Sequence, residues 1–248
     1  MSKLSWSKMT KYKLLKRNRK LVKYLPETRR MKKSGLMQML GTYDNVIIKP
    51  SSSFGGKGVM RVTSERKGRY ALHSGKKIKH FGSAKGLKAY LKRKRLHGYI
   101  VQRYVSLAKA NGRPFDLRVM VQRRKKRDWT VTGKLAKIAG KGYIVTNIRR
   151  SHGNVVSVKT AISQSKIRSK YSKALMSKID KVALRTAKHL HKYYKWIHTT
   201  GVDMGLDRKG NIWIIEANFD PATSLFLKLK DKSMYRKIIS YNKKKRRR

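Results

Sequence analysis

Apolar residues recur along the chain at two spacings, every second position or every third to fourth, and the switches between them divide it into elements. Alternation is cleanest in FDLRVMVQ (115–122), which predicts a strand. NVIIKP (45–50) and YIVQRYV (99–105) read as short apolar strands, and DWTVTGKLAKIAG and GYIVTNI continue as strands. RYALHSGKKIKHF predicts a hairpin turning at Ser74-Gly75, and GVDMGLD–RKG–NIWIIEAN predicts a second one. The longer spacing dominates elsewhere. Leu175, Ile179, Val182, Leu190, Tyr193 and Ile197, interrupted by Thr186, predict one long amphipathic helix over 171–198.

Residues 1–25 read as helical and basic, Thr28 as the cap of a second helix running to about Met39, and Ser83 to about Arg95 as a third. A short C-terminal helix precedes the basic tail KKKRRR. Neighbouring strands without repeated βαβ units argue for antiparallel sheets. The expected fold class is α+β in two lobes. A helical segment (1–44) leads into a small lobe (45–98), then a larger lobe (99–240) and a tail (241–248), with the boundary near Gly98.

Composition narrows the partners. Of 248 residues, 66 are Lys or Arg and only 11 are Asp or Glu, a formal charge of +55. Such a field attracts polyanions, so non-specific nucleic-acid or anionic-polymer binding is expected. No cysteine is present, which excludes disulfides, thiolate metal sites and a Cys nucleophile. No apolar run approaches a membrane span, and no signal peptide is evident, so a cytoplasmic protein is expected.

The scarcity of acids makes their positions informative. Asp203, Asp207, Glu216 and Asp220 are four of the 11, and Glu216 sits among apolar residues in WIIEAN, where an unpartnered carboxylate is costly. Glu216 and Asn218 lie two apart on a strand and so face one way, with Asp203 across the hairpin. Two acids and an amide suffice for Mg²⁺, which takes its other ligands from phosphate and water. Asp207, beside Arg208-Lys209-Gly210, reads as a turn residue.

Lys49 ends a strand before a Ser/Gly loop, SSSFGGKG, whose backbone N–H groups can approach an anion, although the Walker pattern is absent and an ordinary flexible loop is the alternative. Gln102 would present its amide to a planar heterocycle, walled by Tyr104 and Val105. Asp116 and Arg118 share one strand face. Arg118 suits a carboxylate or phosphate, or else pairs with Asp116. The seven histidines show no metal-ligand spacing.

Taken in order, YLPETRRM, VIIKPSSSFGGKGVMRV, YIVQRYVSLAKANGRPFDLRVMVQ, WTVTGKLAKIAGKGYIVTN and GVDMGLDRKGNIWIIEAN resemble the ATP-grasp superfamily, within it the YheC/YheD group associated with endospore coats. The resemblance implies two α+β lobes with largely antiparallel sheets gripping ATP, and a possible spore association. It makes Lys49 and Lys8 phosphate lysines, and it makes Ser51, Ser52, Ser53, Gly55, Gly56, Lys57 and Gly58 the loop over the phosphates. Gln102, Arg103, Tyr104 and Val105 become the adenine-binding strand, and Asp203, Glu216 and Asn218 the Mg²⁺ ligands. Arg118 would stabilise the transferred phosphoryl group or hold the acceptor, with Asp116 and Asn147 near that acceptor. The implied activity is ATP- and Mg²⁺-dependent ligation through an acylphosphate on an acidic acceptor. The alternative is a catalytically reduced structural protein binding DNA or anionic polymer. Four departures stand out: the N-terminal domain usual in the family is not matched, Asn218-Phe219-Asp220-Pro221-Ala222 stands where the family commonly has Asn-x-x-Pro-Gly, Lys137 stands at an Arg-like position, and Ser151-His152-Gly153 replaces a Gly pair.

Overall fold

The computed structural model describes residues 4–53, 55–124, 127–144, 146–167 and 172–242; the tail 243–248 lies outside them. The basic N-terminal stretch forms two short helices rather than one, α1 (Lys8–Lys16) and α2 (Arg19–Val22). Asn18 divides them: its backbone is extended and its side chain accepts the Lys20 N–H, so it caps α2. Thr28 caps no helix. It opens a strand, β1 (Thr28–Arg30), where its buried hydroxyl donates to the Pro26 carbonyl and accepts from Gln102. The next helix, α3 (Lys33–Tyr43), begins three residues after that strand.

The first sheet adds β2 (Asn45–Pro50), β3 (Met60–Ser64), β4 (Tyr70–Ser74), β5 (Lys77–Phe81) and, after α4 (Ala84–Arg93), β6 (Tyr99–Arg103). Its order is β1-β6-β2-β3-β4-β5, all antiparallel. The strand expected to open the second lobe, β6, therefore lies inside the first sheet. Alternation sorts the faces: Val46, Ile48, Val62, Leu72 and Val101 pack on Leu36, Met39 and Leu40 of α3 and Leu87 and Leu91 of α4. The intervening positions, Ile47, Lys49, Arg61 and Gln102, face the second sheet.

The second sheet contains β7 (Lys109–Ala110), β8 (Arg113–Gln122), β9 (Thr130–Ile138), β10 (Asn154–Val156), β11 (Thr199–Leu206) and β12 (Ile212–Asn218). The order is β10-β9-β8-β11-β12, with β7 paired to β8. The helices α5 (Ile148–Ser151), α6 (Val158–Ser163), α7 (Ser172–His191) and α8 (Ser233–Asn242) complete the lobe. Phe115, Leu117, Val119 and Val121 pack beneath Ile179, Val182, Ala183 and Leu190 of α7. Each large apolar side chain buried there contributes about 1.5–3 kcal/mol. On the opposite face Met120 and Leu135 are covered by Phe226 and Ile238. Farther along that face stand Asp116, Arg118, Lys137 and Asp203, turned toward the first sheet.

GYIVTNI forms no strand over its described residues. Residues 142–144, 146 and 147 lie outside helix and strand, Ile148 opens α5, and Asn147 caps that helix by accepting the Arg150 N–H. The loop closes tightly on itself, since a Cβ on Gly153 would lie 2.0 Å from the Ile138 carbonyl oxygen. The helix α7 ends at His191, where the chain turns to bury Tyr194 and Ile197. Among the described residues no helix is long and apolar enough to cross a membrane.

Candidate functional site

Asp203 sits within β11, in register with Arg118 of β8 on one side and Glu216 of β12 on the other. Side chains so placed share a face and come within reach. Arg118 donates to Asp203 from Nε at 2.8 Å and from Nη2 at 2.9 Å, a bidentate fork. Lys137 donates to Oδ1 at 2.9 Å, and the Asn218 amide to Oδ2 at 3.1 Å. Burial alone would raise the Asp203 pKa, but Arg118 and Lys137 override it and hold the carboxyl well below its usual range. Gly201, on the same strand face, makes room for this: a Cβ there would lie 3.2 Å from Arg118 Cδ and 2.5 Å from Pro221.

Asp116 does not pair with Arg118, two residues away on its own strand. Its partners are Lys137 of β9, 3.1 Å away, and the Thr146 hydroxyl, which donates to it. Burial raises its pKa, Lys137 opposes the rise, and Asp203 adds to it. Asp116, Lys137, Asp203 and Arg118 thus form one buried chain of alternating charge across three strands. Arg118 Nη1 makes no hydrogen bond among the described residues.

A second cluster comes from α1 and the end of β2. Lys49 is buried and donates to Gln102 Oε1 at 2.8 Å. Lys8, in the first turn of α1, donates to the Ser53 carbonyl and lies 3.3 Å from Glu216 Oε1. Lys11, one turn later, donates to the Ala217 carbonyl and lies over the Phe219 ring at 5.0 Å. Lys11 and Lys49 are each lowered to about 8, chiefly by burial and further by Lys8, against the pull of Glu216 and Asp203. Lys11 was not among the residues singled out from sequence. Its one signal is the three-residue spacing from Lys8, which puts both on one helix face.

The serine-glycine loop runs past these lysines. Ser51 is tied to α1, its carbonyl accepting the Lys8 N–H at 2.8 Å and its hydroxyl the Met9 N–H at 3.2 Å. Ser52 and Lys57 are exposed. Gly55, Gly56 and Gly58 all have φ between 66° and 73°. Across the loop Arg150 donates to the Gly55 carbonyl at 3.2 Å, and the Asn147 amide stands 3.8 Å from where a Gly55 Cβ would be. Asn147 and the loop therefore meet although 92 positions separate Asn147 from Gly55.

The segment 102–105 divides between faces. The Gln102 amide is taken by Lys49 and Thr28 rather than presented to open space. Arg103 turns away, stacked between Tyr43 at 5.1 Å and Trp213 at 5.0 Å. Tyr104 lies under the Arg61 guanidinium at 5.3 Å, and Val105 packs beside the bare backbone of Gly205. Asp207 is a turn residue, accepting from the Lys209 and Asn211 N–H groups and from Trp213 Nε1.

Between the lobes a narrow cavity of about 30 Å³ is walled by Lys8, Lys11, Lys49, Gln102, Ile215 and Glu216. It shares Lys8, Lys11 and Glu216 with an open pocket of about 470 Å³ that reaches Ser51–Ser53. That size and its cationic walls suit a phosphorylated small molecule. Asp203, Glu216 and Asn218 stand together on the paired strands β11 and β12, with Asp203 in register with Glu216 and bonded to Asn218. Glu216 is the freer acid, and among the described residues its carboxylate forms one ion pair, with Lys8. Both oxygens of Asp203 already accept two donors, so a cation bound there must displace one. Among the described residues no three His, Asp or Glu side chains cluster as a metal site.

The model of YheC/D-like ATP-grasp proteins matches residues 2–244. The chain belongs to the YheC/D-like ATP-grasp family. Its relatives include the endospore coat-associated proteins YheD and YheC of Bacillus subtilis (strain 168). YheD is 27% identical over 232 residues, covering 91% of this chain and 50% of YheD. YheC is 23% identical over 210 residues, covering 83% of this chain and 57% of YheC. The chain thus spans about half the length of the curated relatives it matches. In fold it is similar to N5-carboxyaminoimidazole ribonucleotide synthetase from Thermotoga maritima, with TM-score 0.51, 14% identity and coverage of 95% and 48% of the two chains. It is similar also to the ATP-grasp ligase PsnB complexed with a minimal precursor, with TM-score 0.54, 14% identity and coverage of 95% and 60%. The fold is that of ATP-grasp proteins, in two α+β lobes with antiparallel sheets.

Proposed function

We propose that this ATP-grasp chain binds ATP with Mg²⁺ between its sheets and ligates an acidic acceptor through an acylphosphate. One observation carries the reading: Lys8, Lys11, Lys49 and Glu216, drawn from three separate elements, line one cavity beside a positive-φ glycine loop. Ligation is also consistent with neighbours that are ATP-grasp enzymes, one solved with Mg and ADP.

The lysines and loop N–H groups would hold the phosphates, and Glu216 and Asn218, with Asp203 once it gives up a donor, would hold the metal. When bound, Mg²⁺ would neutralise charge developing on the phosphate oxygens. The acceptor carboxylate oxygen bonds to the γ-phosphorus as the bond to the β-phosphate oxygen breaks, and ADP departs. An amine or similar nucleophile then attacks the acyl carbon, inorganic phosphate leaves, and the nucleophile loses a proton. Arg118, anchored by Asp203, directs Nη1 toward the transferred group or acceptor. Asp116 and Thr146 orient Lys137 behind it, and Asn147 sets the loop by its contact at Gly55. Tyr104 and Val105 would border the base.

A second reading, a structural protein without turnover, is favoured by the saturation of Asp203. ADP formation over a panel of small carboxylic acids and acidic peptides separates the two. Turnover lost in Lys49→Met supports ligation, whereas ATP binding with no acceptor-dependent ADP supports the structural role.

A further inference from the structure

The helix α7 carries a second charged feature, on the side of the larger sheet away from Asp203. Apart from Ala174 and Ser177, each of its fully exposed described positions is basic, Lys173, Lys178, Lys181, Arg185 and Lys188, and the turn that follows adds Lys192. The last four recur at spacings of four, three and four, so they form one stripe along the helix. The stripe borders a groove of about 330 Å³ whose floor is Asn18 and His189. The floor is fixed: Asn18 Nδ2 meets His189 Nδ1 at 3.3 Å, and His189 Nε2 meets the Leu14 carbonyl at 2.9 Å. At the α1–α2 corner that supplies Asn18 to the groove, Arg17, Arg19 and Lys20 are exposed. Among the described residues no acid lines it, and the one acid of α7, Asp180, is engaged by Lys134 at 2.6 Å.

We propose that this groove binds the phosphate backbone of a nucleic acid. From Lys181 to Lys192 the stripe runs about 16 Å at ~1.5 Å per residue. That matches about five phosphates of one strand at ~3.4 Å each. A concave groove with cationic walls admits a strand, whereas a flat bilayer would meet only its crests. The exposed face of α7 also lacks the large apolar residues that anchor an interfacial helix. With no built arrangement of side chains toward base edges, the contact is to backbone and is sequence-independent.

The test is fluorescence anisotropy with a labelled 20-base-pair duplex across a salt series, using the full chain. Two variants each remove four charges: Lys181→Gln/Arg185→Gln/Lys188→Gln/Lys192→Gln on α7, and Lys85→Gln/Lys88→Gln/Lys92→Gln/Arg93→Gln on α4. Thermal unfolding establishes that each is folded. The α7 variant is expected to lose at least tenfold in affinity, with the salt slope reduced by up to about 3.6, while the α4 variant changes less than about threefold. Equal losses in both variants, or none in the α7 variant, would overturn the assignment. So would wild-type protein that binds phosphatidylserine vesicles in preference to the duplex.

Discussion

Arg118 passes over Asp116, two residues back on its own strand, and clamps Asp203 on the neighbouring strand with Nε at 2.8 Å and Nη2 at 2.9 Å. Asp203 is consequently the anchor of a buried cationic pair before it is anything else. Asp203→Asn would leave Arg118 and Lys137 buried with only Asp116 as counter-charge, and is expected to destabilise the fold by about 3–5 kcal/mol. Urea unfolding measures this, and a loss below about 1 kcal/mol would show that the network holds little of the structure together.

The two buried acids predict opposite pH behaviour. Asp203 has a depressed folded pKa, so its contribution is complete above the unfolded value of about 3.9 and is lost as pH falls. Asp116 has a raised folded pKa, so its ionisation costs stability as pH rises from that same value through the raised one. Urea midpoints between pH 3 and 7 should therefore flatten in Asp203→Asn and steepen in Asp116→Asn. Parallel curves would contradict the assignment.

Lys11 and Lys49 are charged at the expense of folding. With folded pKa values lowered to about 8, both oppose folding at neutral pH, and that cost disappears as pH rises from about 8 toward 10.5. Lys11→Met is accordingly expected to stabilise the ligand-free protein at pH 7 by about 1–3 kcal/mol while weakening ATP binding at least tenfold. Calorimetric ATP titration and thermal unfolding on the same preparations check both halves. A variant that loses stability and keeps affinity would remove Lys11 from the site.

Gly58 combines φ of 73° with a Cβ position 2.7 Å from the Tyr99 hydroxyl and 3.1 Å from Pro50. Gly58→Ala should distort the loop and cost about 1–3 kcal/mol locally, weakening ATP binding with little change in overall melting. An unchanged dissociation constant would show that the loop does not close on phosphates.

Much of the larger lobe was legible because alternation in 115–122 marks one strand and the acids of the last hairpin mark one strand pair, features that local spacing describes well. The pairing of Asp203 with Glu216 followed from that hairpin alone. The partner of Arg118 did not, because it stands 85 positions away on a strand whose neighbour no local pattern names. Lys11 escaped notice since a basic residue in a basic helix gives no sign of burial. Thr28 and GYIVTNI misled for a related reason: hydroxyl capping and β-branched residues are local preferences, overridden here by the pairing of Thr28 with Gln102 and by the closure of 140–153 around Gly153.

In the proposed function, Glu216 and its neighbours hold a cation against ATP phosphates beside Lys8 and Lys49. Calorimetric titration of ATP with and without Mg²⁺, on wild type and Glu216→Gln, tests it most directly. Mg²⁺ is expected to tighten ATP binding at least tenfold in wild type and to have no effect in the variant. ATP bound equally well with and without Mg²⁺, or a variant that responds like wild type, would contradict it.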